Sequence, residues 1–374
     1  MLRYLTSGES HGKCMLAILD GMPAGLKVES SLINEELCRR MAGYGRGGRM
    51  KIERDSAEIL SGLRRLRTIG SPITIMIKNV DQSIDRLPVV LQPRPGHADL
   101  AGAMKYGLDD VRDVLERASA RETAARVGVG AVCKILLSEF GIRITSHVTA
   151  IGKVESRSNN LGYKQIITFS EKSPVRCADS AASVLMCREI ARAQAEGDTL
   201  GGAFEVIVGG VPAGLGSYTQ WDRRIGGILA QAVMSIQAVK AVGFGAGQGL
   251  AGMRGSGAHD EIFYSKKKGY YRRTNNAGGI EGGMTNGEDI RIRAYMKPIA
   301  TLRKPLASVN IKTRKAFKAA VERSDTCAVP AAGVIAEAVT AIEIANAMIG
   351  KFGGDSVSEM RRNFDGYLSQ IRKF

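Results

Sequence analysis

The chain reads as an α+β protein of antiparallel sheets packed on apolar helices, and three observations lead there. Several apolar runs alternate with polar residues, as in Arg291-Ile292-Arg293-Ala294-Tyr295; that is the period of a strand with one solvated face, which antiparallel sheets allow. Segments 331–349 and 222–241 are apolar on most faces and so belong in an interior. Two G-x-G-x-x-G matches, Gly43 to Gly48 and Gly247 to Gly252, both follow helix-like segments where a dinucleotide fold needs a strand, so a doubly wound sheet is set aside.

In chain order, β-rich or alternating runs predict strands at 13–19, 57–61, 72–78, 142–153, 203–208, 290–296 and 308–312. Spacing and capping predict helices near 29–41, at 120–139, at 179–196 behind Asp179 and Ser180, at 222–241, at 331–349 and at 356–371. An internal echo joins the two halves. Ala17 to Leu26 and Val206 to Leu215 agree at six of ten positions, each an apolar strand, a Gly-x-Pro-Ala-Gly turn and a helix-like segment. The halves are therefore candidates for a duplication, with a chance match of a common strand-turn pattern as the alternative.

With 374 residues and 44% hydrophobic content the chain can bury one large core or two moderate ones. Lys and Arg number 53 against 37 Asp and Glu, a net +16 that invites nucleic acid, an acidic membrane or small anions. Aromatic content of 5%, with no zinc-finger spacing and no RNP-like motif, argues against nucleic acid. The longest cationic run, Lys266-Lys267-Lys268, reads as a solvated loop. Six scattered cysteines without ligand spacing point to reduced thiols in a cytosolic protein and imply no metal site. The N-terminus lacks an apolar signal core, and by composition no stretch reaches the ~18 apolar residues of a membrane span. No G-x-x-x-x-G-K-[ST] loop occurs, which removes the common NTPase reading.

Two of the four histidines sit in short loops of small and charged residues, Gly8-Glu9-Ser10-His11-Gly12 and Arg94-Pro95-Gly96-His97-Ala98-Asp99. Imidazole titrates near neutrality, so the pair reads as two acid/base groups in one cleft. Arg40, Arg46 and Arg49 around a glycine-rich run, and Arg117, Arg121 and Arg126 further on, supply planar forks suited to carboxylate or phosphate. A solvated basic surface is the alternative. Asn275 to Met284 is either a loop folded over something flat or charged, or a compact turn between strands; Asp325 is either a turn cap or a buried site carboxylate.

Five motifs in register carry a resemblance over essentially the whole chain: the His11 and His97 loops, Arg117-Ala118-Ser119-Ala120-Arg121-Glu122-Thr123, Asn276-Ala277-Gly278-Gly279-Ile280, and Arg323-Ser324-Asp325 with Val329-Pro330. In these the chain resembles the chorismate synthases. The resemblance implies a single domain over 1–374 with a β-α-β sandwich, two antiparallel sheets flanking a helical core, assembled as a cytoplasmic homotetramer. It implies a redox-neutral 1,4-anti elimination of phosphate from 5-enolpyruvylshikimate 3-phosphate, requiring reduced FMN. By position it implies His11 as proton donor to the leaving phosphate, His97 as proton source beside the flavin, and Asp325 as a proton relay. Ser10, Arg40, Arg46, Arg49, Arg94 and Arg121 match substrate positions. Arg117, Ala118, Ser119, Gln237, Ala238, Gly282, Lys297, Pro298, Ile299, Ala300, Thr301 and Arg323 match FMN positions. Arg40 and Arg46 are also the candidate NADP contacts, although the chain has no separate reductase domain and reduced flavin is expected from elsewhere, with NADPH an indirect reductant. The chain departs from the family at Met41-Ala42, where many members carry a polar residue followed by proline, and the loop should be less stiff for it.

Overall fold

Residues 1–47, 55–157, 161–322 and 325–374 are described by a computed structural model of the chain. The alternating runs become two antiparallel sheets. The first comprises β1 (Arg3–Ser7), β2 (Cys14–Asp20), β3 (Ala57–Ile59) and β4 (Ile73–Lys78), in the order β1-β2-β4-β3. The second comprises β5 (Arg143–Ile151), β6 (Val154–Glu155), β7 (Gly202–Gly209), β8 (Val239–Phe244) and β9 (Ile290–Met296), in the order β8-β9-β7-β5-β6. In β4 the isoleucines 73, 75 and 77 point inward while Thr74 and Met76 alternate with them, the one-sided burial that the pattern required.

Between the sheets lie α1 (Ser30–Met41), α4 (Thr123–Glu139), α7 (Ile225–Met234) and α8 (Val329–Phe352), the last opened by Pro330 in its first turn. Four further helices, α2 (Asp99–Tyr106), α3 (Val111–Ala118), α5 (Tyr163–Ser170) and α6 (Ser180–Glu196), lie between β4 and β7 in the chain, and α9 (Val357–Lys373) ends it. Helix α8 is long and apolar enough to cross a membrane, which corrects the reading by composition; it is instead the core helix, buried between the sheets. It passes so close to α4 that a Cβ on Gly130 would meet the Cβ of Ala338 at 2.4 Å.

The sequence echo is a structural repeat. β1-β2-α1-β3-β4-α4 and β5-β7-α7-β8-β9-α8 follow the same course, and the sheet orders β1-β2-β4-β3 and β5-β7-β9-β8 correspond strand for strand. The turns match atom for atom. Thr68 Oγ1 donates to Pro23 O and accepts from Leu26 N, while Thr285 Oγ1 donates to Pro212 O and accepts from Leu215 N. Each threonine also ends a tight hairpin, at 63–68 and 280–285.

Four readings need correction. The apolar segment 222–241 is not one helix: α7 stops at Met234, Ala238 turns the chain with φ 68°, and β8 begins at Val239 because β9 offers it an edge to pair with. The strand at 142–153 ends at Ile151, where Gly152 turns into β6, and the strand at 308–312 ends at Val309, where Asn310 Oδ1 accepts from Lys312 N and Thr313 N to form a turn. Gly247 to Gly252 follows a strand, not a helix; it is a 3₁₀ turn behind an antiparallel edge strand, so the dinucleotide reading fails on sheet direction. Strand β1 and helices α2, α3 and α5 were not legible.

Candidate active site

The loop Gly8–Gly12 joins β1 to β2 and is fixed by its own hairpin: at φ 102°, a Cβ on Gly8 would strike Cys14 O at 2.2 Å. That glycine therefore serves the backbone, not a ligand. Asn79 Nδ2 donates to the carbonyls of Glu9 and Gly12, and Arg117 donates to those of Thr6 and Gly8. His11 Nδ1 lies 2.8 and 3.0 Å from the two oxygens of Glu116, whose Oε2 also accepts the His11 backbone N–H at 2.9 Å. A carboxylate only accepts, so Nδ1 carries hydrogen toward Glu116. Burial pushes the Glu116 carboxyl up, but His11 and Arg112 outweigh it and hold it below the usual range.

The same pairing recurs around His97. Its Nδ1 is 2.5 Å from Asp99 Oδ1, and the fully buried Asp99 also accepts from Arg94 Nε at 2.8 Å and Nη2 at 3.0 Å. Against the cost of burial, His97 and Arg94 hold Asp99 well below the ordinary carboxylate range. Arg94 Nη1 reaches Thr301 Oγ1 at 2.8 Å and Lys297 Nζ reaches Gly96 O at 2.7 Å, so the motif from the first repeat is clasped by 297–301 from the second. Burial, with Lys240 adding repulsion, pulls the Lys297 ammonium below its usual pKa.

Two of the arginines converge on one carboxylate. Asp55, wholly buried, takes Arg121 Nη1 at 2.5 Å and Arg40 Nη1 at 3.4 Å. Arg121 Nε donates to Asn79 Oδ1, which ties this group to the His11 loop, and Arg40 Nε donates to Thr123. Burial first, then repulsion from Arg46 and Arg121, lowers Arg40 to about 10 although Asp55 opposes both. Arg46 Nη1 sits 2.5 Å from Asp325 Oδ2, and Gly47 N donates to Asp325 Oδ1. Asp325 and Thr301 line one narrow recess with Asp198, Thr199 and Arg303. Asp325 thus binds a guanidinium and an amide from the segment after α1, across 279 and 278 residues.

Ser10 Oγ accepts from Ser119 Oγ at 3.2 Å, beside Ala118 at the end of α3. Gln237 Nε2 is 3.4 Å from Glu122, which also accepts from Thr6 and Arg126. Ile299 O accepts from Thr199, with Pro298 and Ala300 on either side. Gly282 tips the 280–285 hairpin with φ 59° and open space at its Cβ position; no described contact joins it to this network. The loop from Asn275 is a compact turn, with Asp260 accepting from Asn276 N and Ala277 N and Asn275 Oδ1 from Gly279 N. Lys266 to Lys268 form the exposed tip of another hairpin, as read. Arg49 and Arg323 lie outside the described residues. Sequence reasoning missed Glu116, Asp55 and Asn79; Asp99, Glu122 and Asp325 stood inside motifs already singled out.

Two histidines each backed by a buried carboxylate, among arginines clustered at the junction of two α/β repeats, define an acid/base enzyme for a small polyanion. The chorismate synthase family model matches residues 2–349. The chain is 53% identical to a chorismate synthase of Geobacter sulfurreducens and 52% identical to one of Symbiobacterium thermophilum, in each case over the full length of both chains. A crystal structure of a chorismate synthase superposes with a TM-score of 0.84 at 43% identity, covering 100% of this chain and 99% of the other. This chain belongs to the chorismate synthase family. Its activity is the FMN-dependent elimination that converts 5-enolpyruvylshikimate 3-phosphate to chorismate in the shikimate pathway.

Proposed function

We propose that His11 delivers a proton from Nε2 to the departing phosphate while Arg40, Arg46, Arg49, Arg94 and Arg121, with Ser10, hold the phosphate and carboxylates of the substrate. The observation that carries this is the continuous bonded path His11 loop–Asn79–Arg121–Asp55–Arg40, which puts an acid/base group and a guanidinium cluster on one frame. Ion pairs with Asp55 and Asp325 fix three of those guanidiniums before substrate arrives, so less ordering is left to binding. His97, with Nδ1–H directed at Asp99, keeps Nε2 as its exchangeable proton position on the flavin side, and Asp325 relays a proton within the recess it shares with Thr301.

The residues present fit FMN: Gln237 Oε1 is buried with no hydrogen-bond partner among the described residues, an acceptor matched to an N–H edge, and Lys297 and Arg117 bring cationic charge. Arg117, Ala118, Ser119, Gln237, Ala238, Gly282, Lys297, Pro298, Ile299, Ala300, Thr301 and Arg323 hold it. When bound and reduced, FMN supplies the electron density that loosens the allylic C–O bond. Arg40 and Arg46, paired with Asp55 and Asp325, are assigned to the substrate and are also the candidate NADP contacts, with reduced flavin made elsewhere and NADPH an indirect reductant. The chain works as one domain over 1–374 in a cytoplasmic homotetramer, a reading supported by its free cysteines and by exposed Leu5 and Ile18 on the outer face of the first sheet.

The test is an anaerobic assay with dithionite-reduced FMN and 5-enolpyruvylshikimate 3-phosphate, following phosphate release and chorismate absorbance. Turnover with reduced FMN alone supports the reading. A requirement for NADPH on this chain would reassign Arg40 and Arg46.

A further inference from the structure

We infer that Glu116 is a positioning residue for His11, fixing which ring nitrogen holds hydrogen before and after proton transfer. The inference rests on the reading of His11 as proton donor. Glu116 sits in α3, 105 residues from His11 in sequence, with its side chain 1% exposed. Every described group that faces it is a donor: the His11 backbone N–H, the His11 ring at Nδ1, and Arg112 Nη1 at 3.5 Å, whose other nitrogen pairs with Glu322 at 3.0 Å. Ser10 N donates to the Glu116 carbonyl at 3.1 Å, so the same residue also sets the loop backbone.

A site ringed by donors demands an acceptor with two oxygens. With a carboxylate there, the imidazolium that loses its Nε2 proton relaxes to the Nδ1–H neutral ring without moving any other group. With an amide, one NH2 must face a donor or Nδ1. If the amide oxygen takes the Oε2 place, which holds the His11 backbone N–H and lies 2.8 Å from Nδ1, the NH2 falls at the Oε1 place, 3.0 Å from Nδ1 and beside Arg112; a donor set against donors there favours the Nε2–H tautomer, whose Nδ1 accepts from the amide and which then cannot hold a second proton. In a comparable carboxylate-to-amide change behind a catalytic histidine, the wrong tautomer costs about 10⁴-fold in turnover.

The chain has only four histidines, so ¹⁵N spectra of histidine-labelled protein resolve the rings one by one, with His11→Ala assigning the peak. The neutral His11 ring of the native protein should show hydrogen on Nδ1, and in Glu116→Gln on Nε2. Glu116→Gln should lose about 10²-fold to 10⁴-fold in kcat with KM changed less than about threefold. Glu116→Asp, which keeps two oxygens, should retain the Nδ1–H tautomer and recover at least about tenfold of that loss.

An Nε2–H ring in the native protein overturns the inference, and that measurement needs no variant. Equal losses in Glu116→Gln and Glu116→Asp would also overturn it, by making shape and not acceptor character the cause. If His11→Ala keeps full turnover, the reading of His11 itself falls. If His11→Ala is inactive while Glu116→Gln turns over normally, only the role of Glu116 falls.

Discussion

Replacing Arg121 by alanine tests whether the positive charge acts in the cluster or on the surface. The side chain is 5% exposed and donates to Asp55 at 2.5 Å and Asn79 at 2.8 Å. Its loss leaves Asp55 with Arg40 alone, at 3.4 Å, among the described residues. Breaking a buried pair in this way costs about 3–5 kcal/mol of stability. Removing a desolvated guanidinium from its anion costs about 2–5 kcal/mol of binding, which is roughly thirtyfold to a few thousandfold in Kd. Lys266 and Lys267 are exposed at a hairpin tip, and alanine there should change Kd by less than about fivefold. The assay is calorimetric titration of 5-enolpyruvylshikimate 3-phosphate into FMN-loaded protein, with denaturant midpoints measured on the same samples. Arg121→Lys should recover part of the stability, since the charge stays, but little of the affinity, since the planar fork is gone. If Arg121→Ala bound substrate within twofold of the native protein while the lysine variants lost affinity, the pocket would be misplaced.

Three further outcomes follow from the geometry. His11→Ala should lower turnover about 10²-fold to 10⁴-fold while FMN affinity, read by calorimetry, holds within about threefold; full turnover would remove His11 from the chemistry. Glu337 in α8 is wholly buried, and although burial raises its pKa, Arg39, Lys134 and Arg176 outweigh that and hold it well below the carboxylate range. A carboxylate depressed in the folded state stabilises fully above its unfolded pKa of about 4.3 and loses that stabilisation as pH falls further. Urea midpoints should therefore drop more steeply from pH 5 to pH 3 in the native protein than in Glu337→Gln, and parallel slopes would contradict the assignment. A thiol reagent at pH 7.5 should label exposed Cys38 first and spare Cys327, which burial pushes up to about 12; rapid labelling of Cys327 in folded protein would contradict its burial.

What the sequence disclosed was local. His11, and Arg94 to Asp99, lie in loops whose glycines and charges are adjacent in the chain, and His97 meets Asp99 only two residues away. The carboxylates that complete the other groups come from far off: Glu116 reaches His11 across 105 residues and Asp55 reaches Arg121 across 66. No spacing rule links such pairs, because the sheets and α3 bring them together. The fold followed the same division. Strands with strict alternation, such as β4 and β9, were legible, whereas β1 was hidden because Leu5 faces outward at 76% exposure and breaks the expected pattern. Helix α7 was overextended because the edge that β9 offers to Val239 is a tertiary fact.

The repeat has a consequence for how the protein holds itself together. Each repeat contributes a sheet and a long helix, and the helices meet where Gly130 admits Ala338, a contact with the character of a subunit interface sealed into one chain. Neither repeat owns all the residues of the proposed site. His11, Arg40, Arg94, His97 and Arg121 come from one and Gln237, Lys297, Thr301 and Asp325 from the other, joined by Arg94 to Thr301, Lys297 to Gly96 and Arg46 to Asp325. In the proposed assignment flavin and substrate lie across that join, which makes an occupied cleft a clasp and ligand affinity also cohesion between two halves built on one plan.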